Sequence, residues 1–138
     1  MSAPAASRVF RVKRSERCYR LRPETLRAHA PKRPGVYELI AYDGKGAGEV
    51  LYVGAAVPQT VYERLASHLM GNIRPTADEL RKAYPELYFD FIADADVDSP
   101  EEFRDIAGAL MIRHNPRYNL LQNPPSSGKY RNVTVTES

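Results

Sequence analysis

The stretches GVYELIAY (residues 35–42) and EVLYVGAA (residues 49–56) decide the fold of this chain. Apolar, β-branched and aromatic residues dominate both stretches, as is typical of strands. Between them, DGKGAG (residues 43–48) has the glycine-rich composition of a turn. The two stretches therefore predict two antiparallel strands joined as a β-hairpin.

Three capping boxes downstream of the hairpin predict three helices. The boxes are Thr60 with Glu63, Thr76 with Glu79, and Ser99 with Glu102, and their helices extend to about residues 70, 83 and 114. A strand is predicted over residues 87–92, between the last two helices. The remaining segment, residues 122–138, contains PPSSG and is predicted to be mostly irregular.

The N-terminal segment differs from the rest of the chain in charge. Residues 1–33 carry ten Lys and Arg against two Glu, a net charge of +8, and the remainder has a net charge of −5. A basic segment on a mildly acidic body predicts a polyanionic partner. Candidate phosphate-binding residues are Arg8, Arg11, Lys13 and Arg14. The alternative is a solubilising segment, and charge alone does not separate the two.

Local patterns in this segment also predict structure. Apolar and basic residues alternate over residues 8–12 and 18–21, which favours short strands. Arg22-Pro23 begins a short helix that ends before Pro31. We therefore divide the chain into a basic N-terminal extension (1–33), a catalytic-type domain (34–121) and a C-terminal tail (122–138).

Length and composition narrow the class of protein. The 138 residues suffice for one domain with a real core. No apolar run is long enough to span a membrane, so no membrane partner is expected. Cys18 is the single cysteine, which excludes an internal disulfide and a multi-cysteine zinc site. A reducing, cytoplasmic compartment is the simplest expectation.

The hairpin and the first downstream helix carry the candidate functional side chains. Tyr37 follows Gly35 on the first strand, and Tyr52 precedes Gly54 on the second. On the helix, His68 lies about 20° from the apolar stripe residue Val61, and Arg64 lies about 60° away, at the border of the stripe. Polar side chains at such positions face a cleft beside the core. Phenol, guanidinium and imidazole groups together suit phosphodiester cleavage.

These motifs resemble those of the GIY-YIG nuclease superfamily. The matching pieces are Gly35-Val36-Tyr37, Tyr52-Val53-Gly54, Arg64, His68 and Pro116-Arg117-Tyr118-Asn119, and they cover roughly residues 34–120. The resemblance implies an α+β fold with a small central antiparallel sheet flanked by helices. It also implies hydrolysis of nucleic-acid phosphodiesters with one divalent metal, Mg²⁺ or Mn²⁺.

The resemblance further implies a role for each matching residue. Tyr37 would activate or position the nucleophile, and Tyr52 would line the same pocket. Arg64 would bind the scissile phosphate, and His68 would assist proton transfer or hold a phosphate. Asn119 would hold the chain after the last helix.

The chain departs from the family pattern at the metal ligand. Ala107 occupies the position of the expected glutamate, and alanine cannot bind a metal. Asp105 and Glu102 point to other sides of the same helix, about 160° and 140° from Ala107. Asp90 is a weak candidate, because a lone mid-strand carboxylate must be paired, protonated or part of a site. An edge-strand solubilising role for Asp90 is the alternative.

Three functions follow from this pattern. The first is a metal-dependent DNA endonuclease, weakened by loss of the metal-binding glutamate. The second is a catalytically degenerate module that binds DNA, or RNA, on the same scaffold. The third, which the four retained side chains disfavour, is an interaction domain without a nucleic-acid partner. Because no second DNA-reading domain is recognisable, a protein partner is expected to supply sequence specificity.

Overall fold

The structure is a computed structural model that describes residues 5–42, 48–120 and 122–138, with side chains from Ser7 onward. Its strands are β1 (Ala5–Arg14), β2 (Tyr19–Arg20), β3 (Gly35–Tyr42), β4 (Gly48–Ala56), β5 (Leu87–Ala95) and β6 (Tyr130–Glu137). Its α-helices are α1 (Pro23–His29), α2 (Val61–Met70), α3 (Ala77–Arg81) and α4 (Phe103–His114). Short 3₁₀ helices cover Pro100–Glu102 and Arg117–Asn119.

The six strands form one sheet in the order β4-β3-β5-β1-β6, and β2 pairs with β5. The pairs β3–β4, β3–β5 and β1–β5 are antiparallel, whereas β1 and β6 are parallel. The predicted α+β class is confirmed. The prediction of a small antiparallel sheet is wrong in size and in the orientation of β6, because both ends of the chain add strands to it.

The terminal segments are part of the sheet. Residues 1–33, treated from their charge as an extension, supply β1, β2 and α1. Residues 122–138, predicted to be mostly irregular, contain β6, whose pairing with β1 extends from Ala5↔Tyr130 to Val12↔Glu137. The reason is the alternation in VTVTE, which places Val133 and Val135 in the core beneath α4.

The predicted hairpin is confirmed as β3 and β4. Tyr37 lies opposite Gly54, and Leu39 lies opposite Tyr52, with an irregularity between Leu39 and Ile40. The predicted glycine-rich turn lies outside the described residues except for Gly48. The register matters for function, because it sets the Tyr37 ring directly across from a residue with no side chain.

Two of the predicted capping boxes form as expected. Thr60 caps α2 with Glu63, and Thr76 caps α3 with Glu79. Ser99 makes no such bond, because a 3₁₀ turn precedes α4 and the Glu102 carboxylate instead accepts from the Asp98 N–H at 2.6 Å. In the described part of the chain, no helix has the length and apolar character to cross a lipid bilayer.

The sheet separates two apolar cores. Tyr37, Leu39 and Phe89 face the first core, which α1, α2 and α3 cover. Val36 and Ile92 face the second core, which α4 covers. Because successive strand side chains point to opposite faces, the faces of the residues from Leu87 to Ile92 on β5 follow from these assignments, whereas the register of β5 with β1 shifts after Ile92.

Candidate active site

The structure brings together the four side chains that the sequence predicts to form a site. Tyr37 of β3 and Tyr52 of β4 meet His68 of α2, with ring centroids 5.4 Å and 5.1 Å from the imidazole. The two phenol rings are 6.2 Å apart. Arg64 lies one helical turn before His68 on α2. The hairpin register and the helical repeat therefore place all four on one face of the sheet.

A hydrogen bond joins Tyr37 to His68 and fixes the histidine tautomer. The Tyr37 hydroxyl oxygen lies 2.7 Å from Nε2 of His68, and Nδ1 lies 2.8 Å from the carbonyl oxygen of Pro75. A carbonyl oxygen can only accept, so the proton of the neutral ring belongs on Nδ1. Nε2 is then an acceptor, and the Tyr37 hydroxyl donates to it.

Burial changes the pKa of both partners. Burial raises the pKa of Tyr37 well above its usual 10; the neighbouring Tyr52 adds to this, and the charge of Arg64 opposes it. Burial is the main cause that lowers the pKa of His68 from 6.5 to about 4; the hydrogen bond with the Pro75 carbonyl opposes this shift, and the charge of Arg64 contributes to it. At neutral pH the pair is therefore a neutral phenol that donates to a neutral imidazole.

Arg64 contributes an unused donor to this cluster. The residue is half-buried, but its Nε is fully buried and has no hydrogen-bond partner among the described residues. A buried donor left unpaired costs about 1–3 kcal/mol, and more when it is charged. An anionic acceptor beside Tyr37 would remove this cost, so the geometry suits a phosphate oxygen.

The two motif glycines are required by close packing. A Cβ at Gly54 would lie 2.3 Å from Cζ of Tyr37, and one at Gly35 would lie 2.5 Å from the carbonyl oxygen of Ile92. Both distances are far below van der Waals contact. Gly54 thus makes room for the Tyr37 ring, and Gly35 allows the close approach of β3 to the backbone of β5.

Asn119 holds the edge of the hairpin. Its side-chain oxygen accepts from the Val53 N–H at 2.8 Å, and its amide nitrogen donates to the Val53 carbonyl at 3.1 Å. The side chain is 4% exposed. It therefore occupies the backbone groups of β4 that a further strand would use, in agreement with the structural role that the resemblance implies.

The cluster is closed, whereas the sequence predicts an open cleft. Tyr37 and His68 are fully buried, and Tyr52 is 5% exposed. Arg64, the fourth side chain of the cluster, is partly exposed. The difference arises because Pro75, in the segment between α2 and α3, packs against the imidazole of His68. Helical angles alone do not reveal this segment.

The expected metal position lies on the other side of the sheet. Ala107 is fully buried in the second core with Val36, whereas Tyr37 faces the first. The nearby carboxylates have other partners: Glu102 accepts from the Tyr130 hydroxyl, and Asp105 accepts from the Ser127 N–H at 3.0 Å. Neither therefore replaces the missing ligand.

Asp90, the remaining metal candidate, also faces away from Tyr37. It pairs across the strands with Glu38, the residue next to Tyr37, so both carboxylates lie on the α4 face. Within the described ranges, no three His, Cys, Asp or Glu residues are grouped so as to hold a metal ion. The residues around Tyr37 do not fit a divalent metal.

The basic residues proposed to bind phosphate divide into two groups. Arg11 and Lys13 are exposed on β1. Arg8 lies over the Phe10 ring at 4.3 Å and 3.7 Å from Asp96, and Arg14 is drawn into a cluster of carboxylates. Arg14 is therefore structural, which corrects its assignment as a phosphate-binding residue.

The carboxylate cluster around Arg14 was only partly evident in the sequence. Arg14 bonds to Glu38, to Asp90 at 3.1 Å and to Glu137 at 2.5 Å, and Nε2 of His114 lies 3.4 Å from Glu38. Burial, the charge of Glu38 and a hydrogen bond with it raise the pKa of Asp90, partly opposed by Arg14. The sequence signal for the cluster is that Glu38 and Asp90 each interrupt an apolar stretch predicted to be a strand.

Comparison of the chain with protein-family models, with curated proteins and with solved structures finds no match. The site is therefore interpreted from its own chemistry.

Proposed function

We propose that this chain is a phosphodiester hydrolase of the GIY-YIG type that cleaves DNA slowly. One observation carries the proposal. The Tyr37–His68 hydrogen bond lies beside the buried, unpartnered Nε of Arg64. A proton acceptor and a cation next to one hydroxyl are the groups that attack on a phosphodiester requires.

In this proposal, Tyr37 positions the attacking water. Its proton is directed to Nε2 of His68, so its oxygen lone pairs are free to accept from the water. Proton transfer along this pair ends on His68, whose Nδ1–H is held by Pro75. With a pKa near 4, His68 is a weak base, and transfer to it at neutral pH is unfavourable. This contributes to slow cleavage.

Arg64 binds the scissile phosphate in this proposal. Its Nε–H is buried, and away from bulk water the attraction between a guanidinium and a phosphate oxygen is stronger than in water. The same charge would stabilise the additional negative charge that develops on the phosphate during attack. Tyr52 lines the pocket and packs against the imidazole.

Among the described residues, the divalent metal implied by the family resemblance has no donor set beside Tyr37. We therefore propose no catalytic step that depends on it. Mg²⁺ or Mn²⁺, when it contributes, would be held by the substrate or by a protein partner. The absence of a carboxylate at Ala107 is a second reason to expect slow cleavage.

A second candidate function is nucleic-acid binding without cleavage. The complete burial of Tyr37 and His68 favours it, because a substrate reaches them only if the segment around Pro75 moves. In both proposals DNA is the preferred partner, with RNA as the alternative, and a protein partner supplies specificity. We also propose a cytoplasmic location, consistent with the free thiol of Cys18.

Plasmid cleavage tests the proposal. Supercoiled DNA is incubated with the full chain in Mg²⁺, in Mn²⁺ and in EDTA, and nicked circles are quantified. Arg64→Ala should lower the nicking rate by about 100-fold. Arg131→Ala is the matched control, because Arg131 is exposed on β6, at the opposite edge of the sheet from β4.

Each result separates the two functions. Nicking that Arg64→Ala abolishes supports the hydrolase. Salt-dependent binding without nicking supports the binding module, because phosphate contacts release counterions under both proposals. If the chain neither binds nor nicks DNA, both proposals are contradicted.

A further inference from the structure

A row of aromatic side chains lies on the same face of the sheet as Tyr37. Phe91 of β5 is the cross-strand partner of Tyr37 on β3. Tyr19 of β2 pairs with Phe89, which lies two residues before Phe91 on β5. The Tyr19 and Phe91 rings are nearly parallel, at 14°, with centroids 6.4 Å apart. His29 stacks on Tyr19 at 4.1 Å. Tyr19 and Phe91 are half-buried, and both line a depression of the surface.

Tyr19 and Phe91 line a surface depression of about 240 Å³. Lys13 and Arg33, both exposed, contribute positive charge to its lining. Glu16 and Asp94 are also in the lining. Arg14 touches the depression, but its guanidinium is occupied by carboxylates on the other side of the sheet.

The residues that line the depression suit the base of a nucleotide better than its phosphate. Aromatic rings exposed on a sheet surface stack on unpaired bases. The carboxylates of Glu16 and Asp94 disfavour a phosphate in the depression but can accept hydrogen bonds from the amino groups of a base. Lys13 and Arg33 can neutralise the phosphates on either side of that base.

We propose that Tyr19 and Phe91 form a stacking site for one unpaired nucleobase of the substrate. The inference rests on the proposed function and specifies its substrate: a single strand, or a duplex with an unpaired nucleotide near the scissile bond. Bases within a regular duplex are stacked on each other, so their faces are not available to Phe91.

Binding to two forms of one sequence tests this inference. Labelled single-stranded DNA of 12 nucleotides and the matching duplex are titrated with the full chain in EDTA, at one salt concentration, with fluorescence anisotropy as the readout. The wild-type chain should bind the single strand more tightly. Phe91→Leu and Tyr19→Leu should each weaken single-strand binding by about five-fold or more and leave duplex binding unchanged.

Tyr88→Leu is the matched control. Tyr88 is a half-buried aromatic residue of the same strand, β5, but it points to the opposite face. It should leave both affinities unchanged. Because Phe91 also packs against the first core, Phe91→Tyr is a second variant: it keeps an aromatic face and should retain single-strand affinity. Urea denaturation establishes that each variant is folded.

The outcomes separate this inference from the proposed function. Equal affinity for single strand and duplex, unaffected by Phe91→Leu and Tyr19→Leu, would overturn the stacking site while leaving nucleic-acid binding intact. Weakening by Tyr88→Leu as great as that by Phe91→Leu would also overturn it. No binding of either DNA form would contradict the proposed function itself.

Discussion

Gly54→Ala is the sharpest test of how the site is built. The added Cβ would lie 2.3 Å from Cζ and 2.4 Å from the hydroxyl oxygen of Tyr37. Carbon atoms in contact are about 3.5–4.0 Å apart, so the ring must move by more than 1 Å. Tyr37 is fully buried between Tyr52 and His68, so a displaced ring meets packed side chains.

The expected loss of stability has two parts. Forcing extra volume into a packed core costs about 1–3 kcal/mol. A displaced Tyr37 hydroxyl also leaves the buried Nε2 of His68 without its donor, which costs about 1–3 kcal/mol more. We therefore expect the free energy of unfolding to fall by about 2 kcal/mol or more, and the melting temperature by roughly 6 °C or more.

Urea denaturation measures the effect, and Gly48→Ala in the same strand is the control. A Cβ at Gly48 meets the Tyr42 ring at 3.0 Å, but that side chain is 40% exposed and can rotate away. Gly48→Ala should therefore cost much less. A Gly54→Ala chain within about 0.5 kcal/mol of wild type would refute the close packing of Tyr37 on Gly54.

Three further predictions concern buried polar groups. Tyr37→Phe should lower the free energy of unfolding by about 1–3 kcal/mol in urea denaturation, because Nε2 of His68 loses its donor; an unchanged value would contradict the hydrogen bond. Because the folded-state pKa of His68 is lowered to about 4, its contribution to stability should be lost as the pH falls from 6.5 towards 4, by on the order of 3 kcal/mol. Urea denaturation at several pH values in this range should show a smaller loss of unfolding free energy for His68→Asn than for the wild-type chain. Since the folded-state pKa of Asp90 is raised above 3.8, Asp90→Asn should become more stable relative to wild type as the pH rises; a pH-independent difference would show that Asp90 holds no extra proton.

Features with local signals could be predicted from the sequence. The β3–β4 hairpin follows from two apolar stretches around a glycine-rich turn, and the starts of α2 and α3 follow from their capping boxes. In both cases the residues that decide the structure are close in sequence. The family motifs also place Tyr37 and His68 in one predicted site, but their hydrogen bond joins residues that are 31 apart in the chain and has no local signal.

Features that depend on distant pairing could not be predicted in this way. β1 and β6 pair over a separation of more than 120 residues, and their parallel orientation has no local sequence signal. The burial of the site has the same origin, because it depends on where Pro75 packs after α2 ends. The face of the sheet to which Asp90 points could not be predicted either, because it depends on the register of β5 with β3.

The carboxylate cluster around Arg14 lies on the opposite face of the sheet from Arg64, the proposed phosphate-binding residue. Glu38 and Asp90 are the buried acidic residues of the central strands, and they are separated from Tyr37 by the sheet itself. Burial alone would lower the pKa of Arg14, but its bond to Glu137 and the charges of Glu38 and Asp90 raise it overall. These contacts fasten β1 and β6 to β3 and β5.

Breaking such a buried pair by removing one partner is strongly destabilising, by about 3–5 kcal/mol. The cluster therefore stabilises the sheet, and the Arg14 guanidinium supplies the positive charge that its carboxylates require. On the face of Tyr37, Arg64 carries a positive charge, and its buried Nε–H has no acceptor among the described residues. In the proposed function a phosphate oxygen accepts from this donor, and its recognition by Arg64 requires neither a metal nor a carboxylate at position 107.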